Sequence, residues 1–373
     1  MLYERIKTPA GVAFYREDVI ESLRSVDAVV MDVDGTLVDT TESLTEAIIS
    51  TVNTIMGWLT GIRLTGKVIR RAISELRGSG GFNNDWDTTY TIIIAALSAL
   101  SENLLEGALA RLKEGKRPEA NDRNINEDED TISFEVLRRI EDAVKVAGGE
   151  GIIEVEKKIL DSCGGVRKRG LLMKIREALG YSFDRQSSLL VSIFDEIYCG
   201  SKLYSILYNR SPILGNEPGL IFTERVIVDK RVLRFLFERA DGKLGIVSGR
   251  PRLQATLVLK DLLTTFFDDR AVLFYEDLIF SDDNGRARKA LKPHPYGLIR
   301  CLEALSPFEL AVYVGDSAED ALLVENTRKL YRNVMFIGVY AYTLDPPSAI
   351  KTFMRLGAAA ILPTVNEIVE VLR

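Results

Sequence analysis

The chain has 373 residues, 46% of them hydrophobic and 27% charged, which is enough to bury one large core or two smaller ones; two domains are expected. A formal net charge of −6 supplies no basic footprint, so nucleic acid is not expected as a partner. Cys163, Cys199 and Cys301 are an odd number at no metal-ligand spacing, and the single histidine, His294, argues against a histidine-dependent triad or a multi-histidine metal site.

The first informative element is the apolar run Ala28, Val29, Val30, Met31, a short buried strand that leads into Asp32-Val33-Asp34-Gly35-Thr36-Leu37-Val38-Asp39-Thr40. Side chains two apart on a strand share a face, so Asp32 and Asp34 can address one site, and Gly35 lets the chain turn sharply. Two carboxylates this close in a water-poor pocket call for a cation and for pKa values that split, one group ionised and the other holding a proton. The plainer alternative is a strand ending in an ordinary Asp-Gly turn.

A long helical insertion follows. Asp39-Thr40-Thr41-Glu42 resembles a capping box, with Asp39 as the cap, and opens an amphipathic helix through Ile49 and Val52. Further helical patterns run from Thr65 to Glu75, Thr88 to Lys113, Thr131 to Val146, Ile152 to Leu160, Leu171 to Leu179 and Leu189 to Leu207, without comparable β-alternation. Arg117 to Asp130 is polar and acidic and is expected as a loop. Within the insertion, Arg77 to Tyr90 joins glycines to amides, acids and aromatics ahead of a helix. Asn83 and Asn84 there are candidates for reading an anionic or hydroxylated substrate. The alternative is a capped loop with Asp87 or Thr88 as N-cap and Trp86 as a packing anchor.

Strand and helix alternation returns near Gly219, after the turn-rich stretch from Asn209 to Pro218. Lys243 to Arg250 reads as a buried strand ending in Ser248, Gly249 and Arg250; the hydroxyl, the exposed backbone N–H and the cation suit a phosphate, although an ordinary Ser-Gly turn fits equally. Leu291-Lys292-Pro293-His294-Pro295 stiffens the backbone around one ammonium, a good neutraliser of a transferring phosphoryl group, with His294 as a shaping residue. Leu310 to Asp320 is a strand running into Asp316, Glu319 and Asp320, either part of an oxygen-ligand cage for Mg²⁺ or the acidic first turn of a helix.

These four segments, in this order, resemble the four motifs of the haloacid dehalogenase superfamily in its phosphatase branch, over roughly residues 25–40 and 222–373. The resemblance implies that Asp32 is the nucleophile and Asp34 the acid/base. It also implies that Ser248 and Lys292 hold the phosphoryl group, and that Asp316 joins Asp32 and the Asp34 carbonyl around Mg²⁺. Asp320 matches a second motif acid with a supporting or coordinating role. The dehalogenases of the superfamily lack the second aspartate, so Asp34 disfavours dehalogenation.

The insertion resembles the cap of the phosphoglycolate phosphatase and β-phosphoglucomutase type, which closes over the core and selects the leaving group. The expected architecture is an α/β, doubly wound, mainly parallel Rossmann-like core of residues 1–40 and 221–373, with an inserted all-α cap domain of residues 41–220. The expected activity is hydrolysis of a small phosphorylated metabolite; a phosphomutase and a non-catalytic binding module are the alternatives.

The reduced cysteines point to a cytoplasmic protein. The apolar stretch Tyr90 to Leu100 is too short to span a membrane, and no charged-then-apolar signal segment is apparent. Glutamine occurs only at Gln186 and Gln254 while Ile, Leu, Lys, Arg and Glu are frequent, a thermophile-like composition. Oligomeric state is left open.

Overall fold

The computed structural model describes residues 2–79, 82, 84–115, 129–147, 152–180, 188–215, 218–281 and 287–372, with side chains left out at 129–131, 280–281 and 287–289. The chain divides into two compact units, Met1–Thr41 with Glu224–Arg373, and Glu42–Thr223.

The first unit is built on strands β1 (Tyr3–Thr8), β2 (Gly11–Arg16), β3 (Val26–Met31), β4 (Val38–Asp39), β5 (Arg225–Val226), β6 (Leu244–Val247), β7 (Val272–Leu273), β8 (Ile279–Ser281), β9 (Ala287–Lys289), β10 (Leu310–Gly315), β11 (Val334–Val339) and β12 (Ala360–Leu362). Among the described residues, eight of these form one sheet in the order β1-β2-β12-β11-β10-β3-β6-β7. Pairing is parallel from β12 to β7; the β1–β2 hairpin adds to β12 antiparallel. The motif segments say nothing of this hairpin, whose tight Pro9-Ala10 turn precedes Gly11.

The alternation along β3 explains why helices cover both faces. Val29 and Met31 pack into a hydrophobic cluster with Ile246, Val312 and Val314, whereas Ala28 and Val30 pack into another with Val247, Ala311 and Tyr313. A strand buried on both faces reads as the continuous apolar run seen in the sequence, and burying each larger aliphatic side chain contributes about 1.5–3 kcal/mol. The architecture is the expected doubly wound, mainly parallel α/β sheet. Strand order reverses between β3 and β10, so the crevice at their carboxyl ends is the place where such folds bind ligands.

Among its described residues the second unit carries helices and no strand: Thr41–Thr60 enters it, followed by Gly66–Ser79, Asp85–Ala99, Glu102–Glu114, Glu129–Ala147, Ile152–Asp161, Val166–Ala178, Leu189–Cys199 and Ser201–Tyr208. Asp39 Oδ1 accepts the N–H of Thr41 at 3.1 Å, serving the helix start from one position further out than a capping box requires. Every residue from Asp87 to Ser98 is buried. The apolar stretch in this region is therefore the hub of a bundle, and no described helix is long and apolar enough to cross a membrane.

Two expected helices are each broken in two. The pattern from Thr88 to Lys113 is interrupted by extended Leu100 and Ser101, with Ser101 at an N-cap position and Leu100 buried. The pattern from Leu189 to Leu207 is interrupted at Gly200, whose φ of +78° ends one helix and starts the next. The expected loop from Arg117 to Asp130 lies almost wholly outside the described residues; Asp130 itself belongs to the helix Glu129–Ala147.

Candidate active site

Parallel strands end on one edge, and register fixes what meets there. Met31 pairs with Val314 of β10 and with Ile246 of β6, so Asp32 is flanked by the segments that carry Asp316 and Ser248. Beyond Asp32 the chain turns tightly: the N–H groups of Leu37 and Val38 both donate to Val33 O, and the N–H of Gly35 donates to Val38 O at 2.8 Å. Gly35 has φ of +68°, and a Cβ on it would lie 2.0 Å from Asp316 Oδ2. Only glycine allows both the turn and the close approach of the Asp316 carboxylate. Gly35→Ala is expected to cost about 1–2 kcal/mol from the backbone alone. Because it also displaces Asp316, Mg²⁺ affinity, read by titration calorimetry, should fall more than the melting temperature does.

Three of the four segments meet around Lys292. Its Nζ lies 2.8 Å from Asp32 Oδ1 and 2.7 Å from Asp320 Oδ1, with the ring of Tyr313 beneath it at 5.4 Å. Burial alone would lower the Lys292 pKa, but the Asp32 and Asp320 carboxylates outweigh it and the pKa is raised. Burial pushes Asp32 up to about 7 against the pull of Lys292, with Asp320 and Asp34 adding to the rise. Burial, then Asp320 and Asp32, hold Asp316 well above the usual carboxylate range. Burial thus works against the ionised form of Asp32, and Lys292 works for it.

Asp32, Asp316 and Asp320 each bring a carboxylate oxygen within 4.8 Å of the others. An all-oxygen, over-acidic cluster fits a hard divalent cation, which would relieve the raised pKa values. Asp320 is already engaged at both oxygens. Oδ1 accepts from Lys292 Nζ and lies 3.1 Å from the Tyr313 hydroxyl; Oδ2 accepts from Ser317 N at 3.0 Å and Ser317 Oγ at 2.7 Å. Its contacts are those of a support that caps the helix Ala318–Thr327 and positions Lys292, which leaves Asp32 and Asp316 as the candidate carboxylate ligands.

Asp34 is set apart. Its side chain is 35% exposed, and Oδ1 lies 2.9 Å from Arg250 Nε. The two carboxylates of the first motif are thus held by different cations, which suits different roles. Ser248 is buried directly after β6, its Oγ accepting the N–H of Arg250 at 3.3 Å, and Gly249 is exposed. Arg250, expected as a phosphate contact, is instead 2% exposed and bound to Asp34 and Glu224. His294 is exposed and its Nδ1 accepts the N–H of Tyr296, a shaping contact.

In the second unit, Asn83 lies outside the described residues. Asn84 is the N-cap of Asp85–Ala99, its side chain accepting the N–H of Asp87 at 3.1 Å, so neither Asp87 nor Thr88 takes the role expected of it. Arg77 pairs with Asp85 at 2.5 Å, and Trp86 Nε1 donates to buried Asp195 at 2.9 Å. The loop is capped, as the alternative had it, but by Asn84 and not by Asp87 or Thr88.

Two residues of the site escaped sequence reasoning. Tyr313 carried a signal, since a hydroxyl in the otherwise apolar strand Leu310–Gly315 must find a buried partner. Glu224 carried none.

A structural-genomics target solved by X-ray crystallography aligns with 93% of this chain and 98% of its own, at 19% identity and a TM-score of 0.54. That likeness shows a shared fold, and in this chain the segments after β3, β6 and β10 converge on one edge of the sheet. The phosphatase Tt82 from Thermococcus thioreducens aligns at 23% identity over 83% of this chain and 91% of its own, with a TM-score of 0.47. A candidate haloacid dehalogenase-like hydrolase from Bacteroides fragilis aligns at 14% identity over 92% and 99%, with a TM-score of 0.43. No protein-family model and no curated protein matches the sequence.

Proposed function

We propose that the chain is a Mg²⁺-dependent phosphatase that hydrolyses the phosphate monoester of a small metabolite through an aspartyl-phosphate on Asp32. The observation that carries this reading is the division of labour in the haloacid dehalogenase-like core. Asp32 sits against Lys292 within an acidic cluster, while Asp34 stands apart on Arg250.

In the proposed reaction an Asp32 oxygen attacks phosphorus and the bond to the ester oxygen breaks; Asp34 gives that oxygen its proton. Water then attacks phosphorus of the aspartyl-phosphate and loses a proton to Asp34, and the P–O bond to the Asp32 carboxylate breaks, freeing Asp32 and inorganic phosphate. Lys292 and Ser248 hold the phosphoryl oxygens through both steps. Mg²⁺, held by Asp32, Asp316 and the backbone carbonyl of Asp34, would supply charge that offsets the anionic repulsion. Most of the work is electrostatic positioning.

The test is a panel of phosphorylated metabolites with Mg²⁺. Release of inorganic phosphate supports hydrolysis; isomerisation without release assigns a phosphomutase; a ligand that raises the melting temperature without any turnover assigns a binding module.

Metal dependence has a separate expected outcome. Removing metal with EDTA abolishes release, and Mg²⁺ at about 100 times its Kd stabilises the fold by about 2.7 kcal/mol. Binding must expel protons from groups whose pKa is raised, Asp32 to about 7 and Asp316 as well, so the thermal shift caused by Mg²⁺ grows as pH rises through 7. An increment independent of pH would contradict the assignment of Asp32 as a ligand.

A further inference from the structure

Arg250 and Glu224 form a buried ion pair with no part in the chemistry described so far. Arg250 Nη2 lies 2.8 and 2.7 Å from the two oxygens of Glu224, and the Glu224 side chain is fully buried. Nε of the same guanidinium reaches Asp34 Oδ1 at 2.9 Å. Glu224 opens the second stretch of the core, immediately before β5, and β5 pairs antiparallel with β4, four residues beyond Asp34. Asp34 and Glu224 are therefore tied together twice, through the β4–β5 pair and through Arg250.

We propose that Glu224 is a positioning residue for the acid/base: it pins Arg250 so that the guanidinium charge holds the Asp34 carboxylate in place. The inference rests on the phosphatase reading and adds a residue to it. A guanidinium is a rigid planar fork, so fixing Nη2 also fixes the direction of Nε. A buried guanidinium also needs a counter-charge. Asp34 gains and loses a proton in each turnover, whereas Glu224 has no part in the proton transfer and stays on Arg250. Proton transfer needs hydrogen-bond reach, and a misplacement of about 1 Å costs roughly 10²-fold.

The test compares kcat/KM of wild type and Glu224→Gln on p-nitrophenyl phosphate and on the alkyl monoester that wild type turns over fastest. The value of kcat/KM reports the steps through departure of the leaving group; nitrophenolate leaves without a proton, an alkoxide does not. With the positioning role, kcat/KM falls roughly tenfold or more on the alkyl ester and less than about threefold on the aryl ester. Arg250→Lys, which keeps the charge and loses the fork, reproduces that split, so the inference stays testable if Glu224→Gln does not fold. Equal losses on both esters, or no loss, overturn it while leaving the phosphatase reading intact. A wild type that releases phosphate from neither ester overturns both.

Discussion

Replacing Asp32 by Asn is expected to lower phosphate release by at least about 10³-fold while the fold persists. An amide cannot serve as the anionic nucleophile, and no other carboxylate takes its place: Asp320 is committed to Lys292 and Ser317, and Asp34 to Arg250. Lys292 keeps its 2.7 Å contact with Asp320 in the variant, so the buried ammonium retains a counter-charge. Stability should move the other way from activity. The folded pKa of Asp32 is raised to about 7, so its favourable contribution is present at low pH and is lost as pH rises from the ordinary carboxylate range towards 7. Asparagine has no charge to bury and is indifferent to that rise. In EDTA, the variant should therefore melt no lower than wild type above pH 7, with the difference shrinking as pH falls towards 4. Turnover that survives the substitution in a preparation free of host phosphatase would remove Asp32 from the chemistry. A collapse in melting temperature would instead make Asp32 a structural residue.

Why the motif residues of the core were legible while the partners of Arg250 and Asn84 were not follows from what fixes each side chain. Asp32, Ser248 and Asp316 directly follow strands buried on both faces, and those strands announce themselves as apolar runs. Once they lie parallel, backbone register alone brings the three together. The partners of Arg250 were not legible because they include Glu224, 26 residues away, and nothing in local pattern says which carboxylate a cation will find. The cap role of Asn84 was not legible for a related reason: a polar residue ahead of a helix suits a cap and a ligand contact equally, and here the cap bond to Asp87 is made. The helix breaks at Ser101 and Gly200 lay within apolar periodicity that continues across them, so period outweighed the Ser and Gly signals. The Pro-bound Lys292 was legible as a charge in a stiff loop, while its second partner, Asp320, became visible only in the folded chain.

Asp320→Asn is expected to destabilise the metal-free protein by about 3 kcal/mol or more, although the side chain keeps its shape. Each oxygen of Asp320 faces donors: Oδ1 faces Lys292 Nζ and the Tyr313 hydroxyl, Oδ2 faces Ser317 N and Ser317 Oγ. Whichever way the amide is turned, its NH₂ meets an N–H or ammonium donor in a site that is fully buried. Facing Lys292, it leaves the ammonium with Asp32 alone. Facing Ser317, it opens the capping box of Ala318–Thr327, the helix that follows Asp316. For a unit of this size the loss corresponds to a fall of roughly 6–12 °C in melting temperature, measured in EDTA. Turnover should fall roughly 10²-fold as Lys292 loses its position over the phosphoryl site. The two roles open to Asp320 separate here. A supporting residue loses stability without metal, and the deficit remains when saturating Mg²⁺ is added. A metal ligand loses Mg²⁺ affinity and leaves the metal-free melting temperature unchanged, and that result would return Asp320 to the coordination shell.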